Sequence, residues 1–221
     1  IATYDKSYDN SHNFNLMAGY EDYMYTYEAM TASTNEMELG NYPYLDLANT
    51  NNLGVTGGSY QNAYRSFFGR IMYNYKGRYY AQLNARGDAS SRFHKDYRWG
   101  FFPSASVGWV ISNESFMQNV TPVSYLKLRG SLGSLGNERI GNYPYQSSIN
   151  FNKAIMYDSN GSNIISQMTG AQINYAVRDI TWETTYSWDI GLDATLFDNR
   201  LNVTADYYFK KTRDMLLAAE I

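Results

Sequence analysis

The chain has 221 residues, a formal net charge of −3 and no cysteine. An acidic chain without a basic run lacks the surface that displaces counterions from phosphates, which argues against a general nucleic-acid binder. The absence of cysteine excludes a disulfide framework and a thiolate metal site. No apolar run approaches the roughly 18 residues of a membrane-spanning helix. The chain begins IATYDK, without an initiating Met or a signal-peptide pattern, and we expect it to be an internal piece of a longer protein.

Seven segments alternate apolar and polar residues, the pattern of a strand whose two faces meet different surroundings. In chain order they are His12 to about Tyr27, Phe67 to Tyr75, Tyr79 to Gly87, Trp99 to Ile111, Tyr125 to Leu132, Trp182 to Leu196 and Leu201 to Phe209. The first segment loses its pattern after Tyr20, where Tyr23, Tyr25 and Tyr27 fall on the other parity. The second and third are separated by Lys76-Gly77-Arg78, which predicts a hairpin.

The connections between these strands fall into two length classes that alternate along the chain. The short ones are Tyr75 to Arg78, Asn113 to Pro122, where we expect a helical turn, and Asp198 to Asn199. The long ones are Thr31 to Ser66 and Gly136 to Ile180, with the shorter Ser90 to Arg98 between them. Short turns at one end and long loops at the other are typical of outer-membrane barrels, in which the short turns are periplasmic.

Charged and aromatic residues are sorted by parity in the same strands. The polar parity carries Arg70, Lys127, Arg129, Asp189, Asp193 and Asp206. The apolar parity carries aromatic residues near strand ends, where interfacial girdles occur: Tyr75, Tyr79, Trp99, Phe101, Trp109, Trp182, Tyr207 and Phe209. An ionised Lys or Arg facing lipid near the bilayer midplane costs roughly 2 to 4 kcal/mol, so the pattern fits strands with lipid on one side. The alternative is that the aromatic residues form the core of a soluble sandwich.

No motif in the chain predicts an enzyme, a metal site or a cofactor site. The glycines of Gly130 to Gly141 lack the Lys-Ser or Lys-Thr of a phosphate loop and the following helix of a dinucleotide site, and we expect them to let a strand leave the barrel rim. His12 and His94 have no partner at metal-ligand spacing. Tyr157 to Asn163 is oxygen-rich but lacks the acidic spacing of a calcium loop. No Ser-His-Asp set or nucleophile elbow is present.

Five stretches resemble one family. RGDASSRF, from Arg86 to Phe93, followed by YRWGFFPSASVGW, closely resembles the signature of SusC/RagA-like TonB-linked outer-membrane transporters. Three further stretches are similar to the same family: VSYLKLRGSLGSLGNERIGNYPY, WETTYSWDIGLDATLFDNRLNVTADYYFKKTRDML and HNFNLMAGYE. Two positions depart from the pattern, Ala89 and His94, where the family usually has Gly. Both lie in the short outer loop and affect only its local turn.

The resemblance implies an all-β, antiparallel transmembrane barrel of about 22 strands closed around a plug domain. This chain would supply a contiguous arc of about seven strands, with residues 1–221 belonging to one barrel domain. No plug and no TonB box are recognisable in it, so coupling to the TonB complex would lie in parts outside the chain. The family implies an outer-membrane, multi-pass location and a SusD-like surface lipoprotein partner. Its members import glycans or, in some cases, peptides.

Candidate substrate contacts are aromatic or basic residues on the polar parity or in the loops. They are Tyr80, Arg86, Phe102 and Tyr208 on the polar parity and Tyr42, Tyr44, Tyr60, Tyr143 and Tyr145 in the loops. Packing against a plug or within the loops would explain the same residues. Two other functions stay open: a passive outer-membrane porin or adhesin barrel, and a soluble, secreted β-rich carbohydrate-binding module.

Overall fold

The computed structural model describes residues 1–34, 37, 39–42, 44–48, 53–157, 164–174 and 176–217. In this part of the chain, the strands are β1 (Ala2–Tyr8), β2 (His12–Thr34), β3 (Leu53–Tyr75), β4 (Tyr79–Ser90), β5 (Trp99–Val110), β6 (Val123–Asn137), β7 (Ser148–Tyr157), β8 (Ile164–Asn174), β9 (Glu183–Leu196) and β10 (Leu201–Arg213). Single 3₁₀ turns lie at Leu45–Leu47, Ile111–Asn113 and Ser115–Met117. No helix in the described ranges is long and apolar enough to cross a membrane.

Eight strands form one antiparallel sheet in the order β1-β2-β3-β4-β5-β6-β9-β10. The remaining two, β7 and β8, pair with each other as a separate antiparallel hairpin between β6 and β9 in the chain. The chain divides into two compact units, one made of Ile1–Asp22 with Tyr64–Ile221 and the other of Tyr23–Ala63. In the second unit, the ring of Tyr60 stacks on that of Tyr27 with 4.9 Å between centroids.

The register places every predicted apolar row on one face of the sheet, which we call the apolar face. One row of directly paired residues across six strands is Ile71, Leu83, Ala105, Leu132, Trp188 and Phe209. The next row along, on the opposite or polar face, is Arg70, Asn84, Ser104, Gly133, Ser187 and Lys210. A slip of one residue would exchange the two faces, so the sequence pattern specifies this register.

The apolar face is open rather than packed against a second layer. Leu83 is 55% exposed and Leu132 is 62% exposed, and several aromatic rings on this face are exposed to a similar extent. Soluble monomers rarely leave contiguous apolar surface of this extent in water. The alternative of a soluble sandwich core is therefore not supported, because no second sheet in the described residues covers this face.

Tight turns join the strands at one end of the sheet, which we call the turn end. Asp9 and Asn10 connect β1 to β2, Lys76 and Gly77 connect β3 to β4, and Asp198 and Asn199 connect β9 to β10, all with positive φ. Left-handed residues of this kind match the twist of hairpin strands. The opposite end, where the β4–β5 and β6–β9 connections lie, is called the loop end.

The seven predicted strands are present, but one strand was missed, and the bounds of both long connections differ from the expectation. The sequence pattern missed β1, because Lys6 interrupts its apolar row, and the main sheet therefore has eight strands. The expected loop from Thr31 to Ser66 is shorter, since β2 continues to Thr34 and β3 begins at Leu53. The pattern blurs in β2 because its aromatic residues change face after Tyr20, although the strand does not end there.

The second long connection also differs from the expected Gly136 to Ile180. β6 continues through Gly136 to Asn137, and β7 and β8 fill much of the remaining segment. Gly136 lies inside the strand, and the ring of Phe102 occupies the space that a Cβ at this position would need. Gly133 and Gly136 therefore permit close packing within a strand rather than its departure from the sheet. Residues 158–163, which cover most of the predicted Tyr157 to Asn163 loop, lie outside the described residues.

Trp182 does not belong to the girdle on the apolar face. It precedes β9 and is 5% exposed, and its indole Nε1 donates to the Arg98 carbonyl oxygen at 2.8 Å. With Phe93 and Phe102 it forms the buried cluster of the first unit, at the loop end. A buried indole needs a partner for its N–H, and the carbonyl of the neighbouring connection supplies it.

Candidate functional site: the polar face and the loop end

The polar face forms a recess of about 690 Å³ that is lined by residues of seven strands, β1 to β6 and β9. Neighbouring strands can line one recess only where the sheet curves, so the polar face is the concave face. The lining includes Asn74, Tyr80, Gln82, Lys127 and Asp189. Its volume lies within the range of pockets that hold small organic ligands.

Charges on the polar face of β6, β9 and β10 neutralise one another. Arg129 contacts Asp193 through Nε at 3.1 Å and Asp206 through Nη2 at 2.7 Å. A Cβ on Gly191 would lie 2.5 Å from Arg129 Cζ, so the glycine makes room for this pair. The neighbouring Lys127 ammonium lies 5.4 Å from the centre of the Tyr80 ring, within range of a cation–π contact.

Arg86 is the centre of a second polar cluster nearer the loop end. Its Nε donates to Asp88 at 2.8 Å, and its Nη2 donates to Ser66 at 3.0 Å and contacts Glu21 at 3.3 Å. The Asp88 side chain is only 6% exposed, and a buried carboxylate needs such a cation and its hydrogen bonds. Most of the donors of Arg86 are therefore already engaged within the wall.

Glu114 organises the turn end between β5 and β6. Its carboxylate accepts hydrogen bonds from the Tyr79 hydroxyl at 2.6 Å and the Trp109 indole at 3.0 Å. It also pairs with Arg78 at 3.2 Å, with 11% of its own side chain exposed. The Tyr79 and Trp109 hydrogen bonds, with the Arg78 charge, hold the pKa of Glu114 below its usual value. The cluster fixes two aromatic rings at one edge of the apolar face.

Within the first unit, the predicted contact residues have different surroundings. Tyr80 lines the recess with 42% of its surface exposed, and Tyr208 is 66% exposed on the polar face of β10. Phe102 is 8% exposed because it packs in the Phe93 and Trp182 cluster. Tyr60 is in β3 and not in a loop.

Each of the two units contains two of the loop tyrosines. Tyr143 and Tyr145 lie together, with ring centroids 6.0 Å apart, and Tyr145 also contacts His94 at 5.6 Å. Tyr42 and Tyr44 lie in the second unit and are largely exposed.

Several residues of the recess were missed by sequence reasoning. Asp5 on β1 and Asn13 and Asn15 on β2 line it, but β1 was not recognised as a strand. Lys127 and Asp189 were placed on the polar parity without being named as contacts. The pairing register could have placed Lys127 near Tyr80. Tyr80 lies opposite Gly108 on β5, Gly108 lies opposite Arg129 on β6, and Lys127 is two residues from Arg129 on the same face.

Comparison with known proteins gives one family and several long matches. The family model described as "TonB dependent receptor-like, beta-barrel" matches residues 2–221. A TonB-dependent receptor of Formosa agariphila is 35% identical over 218 residues, which cover 96% of this chain and 20% of that protein. The TonB-dependent receptor SusC of Bacteroides thetaiotaomicron is 36% identical over 162 residues, or 73% of this chain and 16% of that protein.

Solved structures show the same fold. A chain of the RagAB peptide transporter superposes with a TM-score of 0.86 at 30% identity, covering 99% of this chain and 24% of that chain. The RagAB peptide importer in its "open-open" state gives a TM-score of 0.84. The chain thus spans about a fifth of the length of the curated relatives it matches.

Proposed function

Because this chain belongs to the TonB-dependent receptor-like β-barrel family, we propose that it is a contiguous part of the wall of an outer-membrane nutrient transporter. The apolar face contacts lipid and the concave polar face lines the lumen. The observation that carries this proposal is the register, which puts an exposed apolar belt on one face and polar residues on the other across six strands. A passive barrel would share this belt, and the family membership favours an energy-coupled transporter.

The wall forms one domain with barrel strands outside this chain. In the described residues, β1 and β10 each have a neighbour on only one side, and an edge left unpaired in lipid costs several kcal/mol for each unsatisfied backbone group. A plug domain, coupled to the TonB complex, occupies the lumen beside the recess. The turn end lies in the periplasm and the loop end outside the cell.

The cargo is an oligosaccharide or a peptide that a SusD-like surface lipoprotein delivers at the loop end. Support comes from the similarity to SusC and to the RagAB peptide importer. Exposed tyrosines, such as Tyr80 in the recess, suit stacking on sugar rings as well as contacts with peptides. Phe102 is left out of the proposed contacts because its ring is covered. Arg86 is also left out because the wall engages its donors.

The test is nutrient uptake by a strain that lacks the full-length gene. Complementation with the wild-type gene should restore uptake of one class, oligosaccharide or peptide, and uptake should cease when the proton gradient is collapsed. A double variant, Tyr80→Ala with Lys127→Ala, should assemble normally and import more slowly. If the deletion strain takes up oligosaccharides and peptides as fast as wild type, the proposed transport function is refuted. Uptake that survives loss of the gradient would favour a passive porin.

A further inference from the structure

Two cations lie on the apolar face of β10, where the rest of the strand presents apolar side chains. Lys211 and Arg213 continue the row of Tyr207 and Phe209, and they pair with Tyr186 and Thr184 of β9. The guanidinium of Arg213 lies 5.6 Å from the centre of the Tyr186 ring. Neither cation therefore points into the lumen, where the transport function would employ it.

The height of these residues on the strand places them at the edge of the apolar band. Lys211 is ten residues from Leu201, which is ~34 Å along the strand and ~26 Å along the barrel axis at a tilt of ~40°. An apolar band is about 25 Å tall in such barrels. With Leu201 at the turn end, Lys211 and Arg213 lie at the headgroup level of the leaflet near the loop end.

No carboxylate in the described residues lies within 4.0 Å of either cation. The same face offers a direct comparison on β3, at Arg65, which lies ten residues from Tyr75 at the turn end. There Arg65 donates twice to Asp22, at 3.0 Å through Nε and 2.7 Å through Nη2. One cation on the apolar face is thus neutralised by a neighbouring strand, whereas the described residues supply no carboxylate to the two on β10.

An apolar groove lies directly beside the two cations. Its volume is about 520 Å³, and its lining includes Leu132, Trp188 and Phe209 together with Lys211 and Arg213. The three apolar side chains are between 40% and 62% exposed. Among the residues that the structure describes, no acidic side chain lines the groove. A ligand that fits it has an apolar part on the strand surface and an anionic group at the loop end.

We propose that this groove binds a phosphorylated membrane lipid of the outer leaflet. An acyl chain lies against Leu132, Trp188 and Phe209, and the headgroup phosphate accepts hydrogen bonds from Lys211 and Arg213. Charge-assisted bonds to phosphate are short and strong, and a guanidinium can donate two in parallel. The apolar floor selects a lipid over free phosphate. The inference rests on the proposed outer-membrane location and its orientation.

The test is lipid binding to the full-length protein, purified from outer membranes in neutral detergent and measured by native mass spectrometry. The probes are diphosphoryl lipid A, the same lipid after dephosphorylation, and inorganic phosphate. Wild type should bind the phosphorylated lipid about tenfold or more tightly than the dephosphorylated one. The double variant Lys211→Gln with Arg213→Gln should lose that preference. Lys210→Gln, a neighbour on the polar face, and Arg65→Gln should keep it.

Equal binding of the two lipids by wild type overturns the proposal, and this comparison needs no variant to fold. An unchanged preference in the double variant also overturns it, because another group would then hold the phosphate. Competition by millimolar inorganic phosphate would also overturn it, because it would show an anion site without lipid selectivity. Absence of the wild-type protein from the outer-membrane fraction would instead refute the proposed function, whatever its lipid binding.

Discussion

Leu83 offers a direct test of which face of the sheet meets lipid. It is 55% exposed and lies four residues from Tyr79 at the turn end and four from Gly87 towards the loop end. Each interval is ~14 Å along the strand and ~10 Å along the axis at a tilt of ~40°, so Leu83 lies near the middle of the apolar band. Leu83→Arg should therefore cost roughly 2 to 4 kcal/mol, or about 30- to 700-fold in the equilibrium for insertion.

The matched control is Gln82→Arg, one residue away on the polar face. Gln82 lines the recess and donates to Asn84 at 3.1 Å, so an added guanidinium there stays in polar surroundings. Leu83→Ala separates the charge from the lost side-chain volume. All three variants are made in the full-length protein, and assembly is measured as the heat-modifiable fraction in outer membranes. Equal assembly of Leu83→Arg and Gln82→Arg would show that the assigned faces are wrong.

Four further perturbations have defined outcomes. Deleting the β7–β8 hairpin, Ser148–Asn174, should leave assembly intact, because in the described residues the hairpin pairs with no strand of the main sheet. The deletion should weaken uptake or co-purification of the lipoprotein. A mutant that assembles and is unchanged in uptake and in co-purification would contradict this prediction. Gly191→Leu should lower the temperature of heat modification, since overpacking typically costs about 1–3 kcal/mol, whereas Gly141→Leu, which has open space, should not. Glu114→Gln should destabilise the barrel at pH 7. The difference in stability from wild type should shrink as the pH falls below 4.5, because a lowered carboxylate pKa stabilises the fold only while the group is ionised. A difference in stability that is independent of pH would rule out this cause. Residues 1–221 expressed alone should aggregate through the β1 and β10 edges, and a detergent-stable monomer with a closed barrel would refute the wall-segment assignment.

Period-two alternation was sufficient to predict the register because the two faces of the sheet meet very different surroundings. Ile71, Leu83 and Leu132 lie on one parity of their own strands, and pairing brings them into one row. The alternation of apolar and polar residues is lost in β1 and in the second half of β2. β1 carries Lys6 opposite Phe14, and beyond Tyr20 the aromatic residues of β2 change face, so alternation no longer indicated a strand there.

The candidate contacts were less predictable than the strands, because parity gives a face but neither a height nor a packing partner. Tyr80 and Arg86 share the polar face of β4, yet only Tyr80 lines the recess. Arg86 lies six residues further, ~20 Å along the strand. Trp182 was placed on the apolar face by extending the parity of β9 backwards, although the strand begins at Glu183. A residue just outside a strand does not have to keep its alternation.

The stretch that resembles the family signature has a structural role at the loop end. Phe93 is fully buried against Trp182, and the Arg92 guanidinium donates to the Ile140 carbonyl oxygen at 3.0 Å. Trp182 in turn donates to the Arg98 carbonyl, so the β4–β5 and β6–β9 connections are tied together by one small core. Such a core fixes where the strands end and the loops begin. The signature therefore corresponds to the small core that ties these two connections together at the loop end.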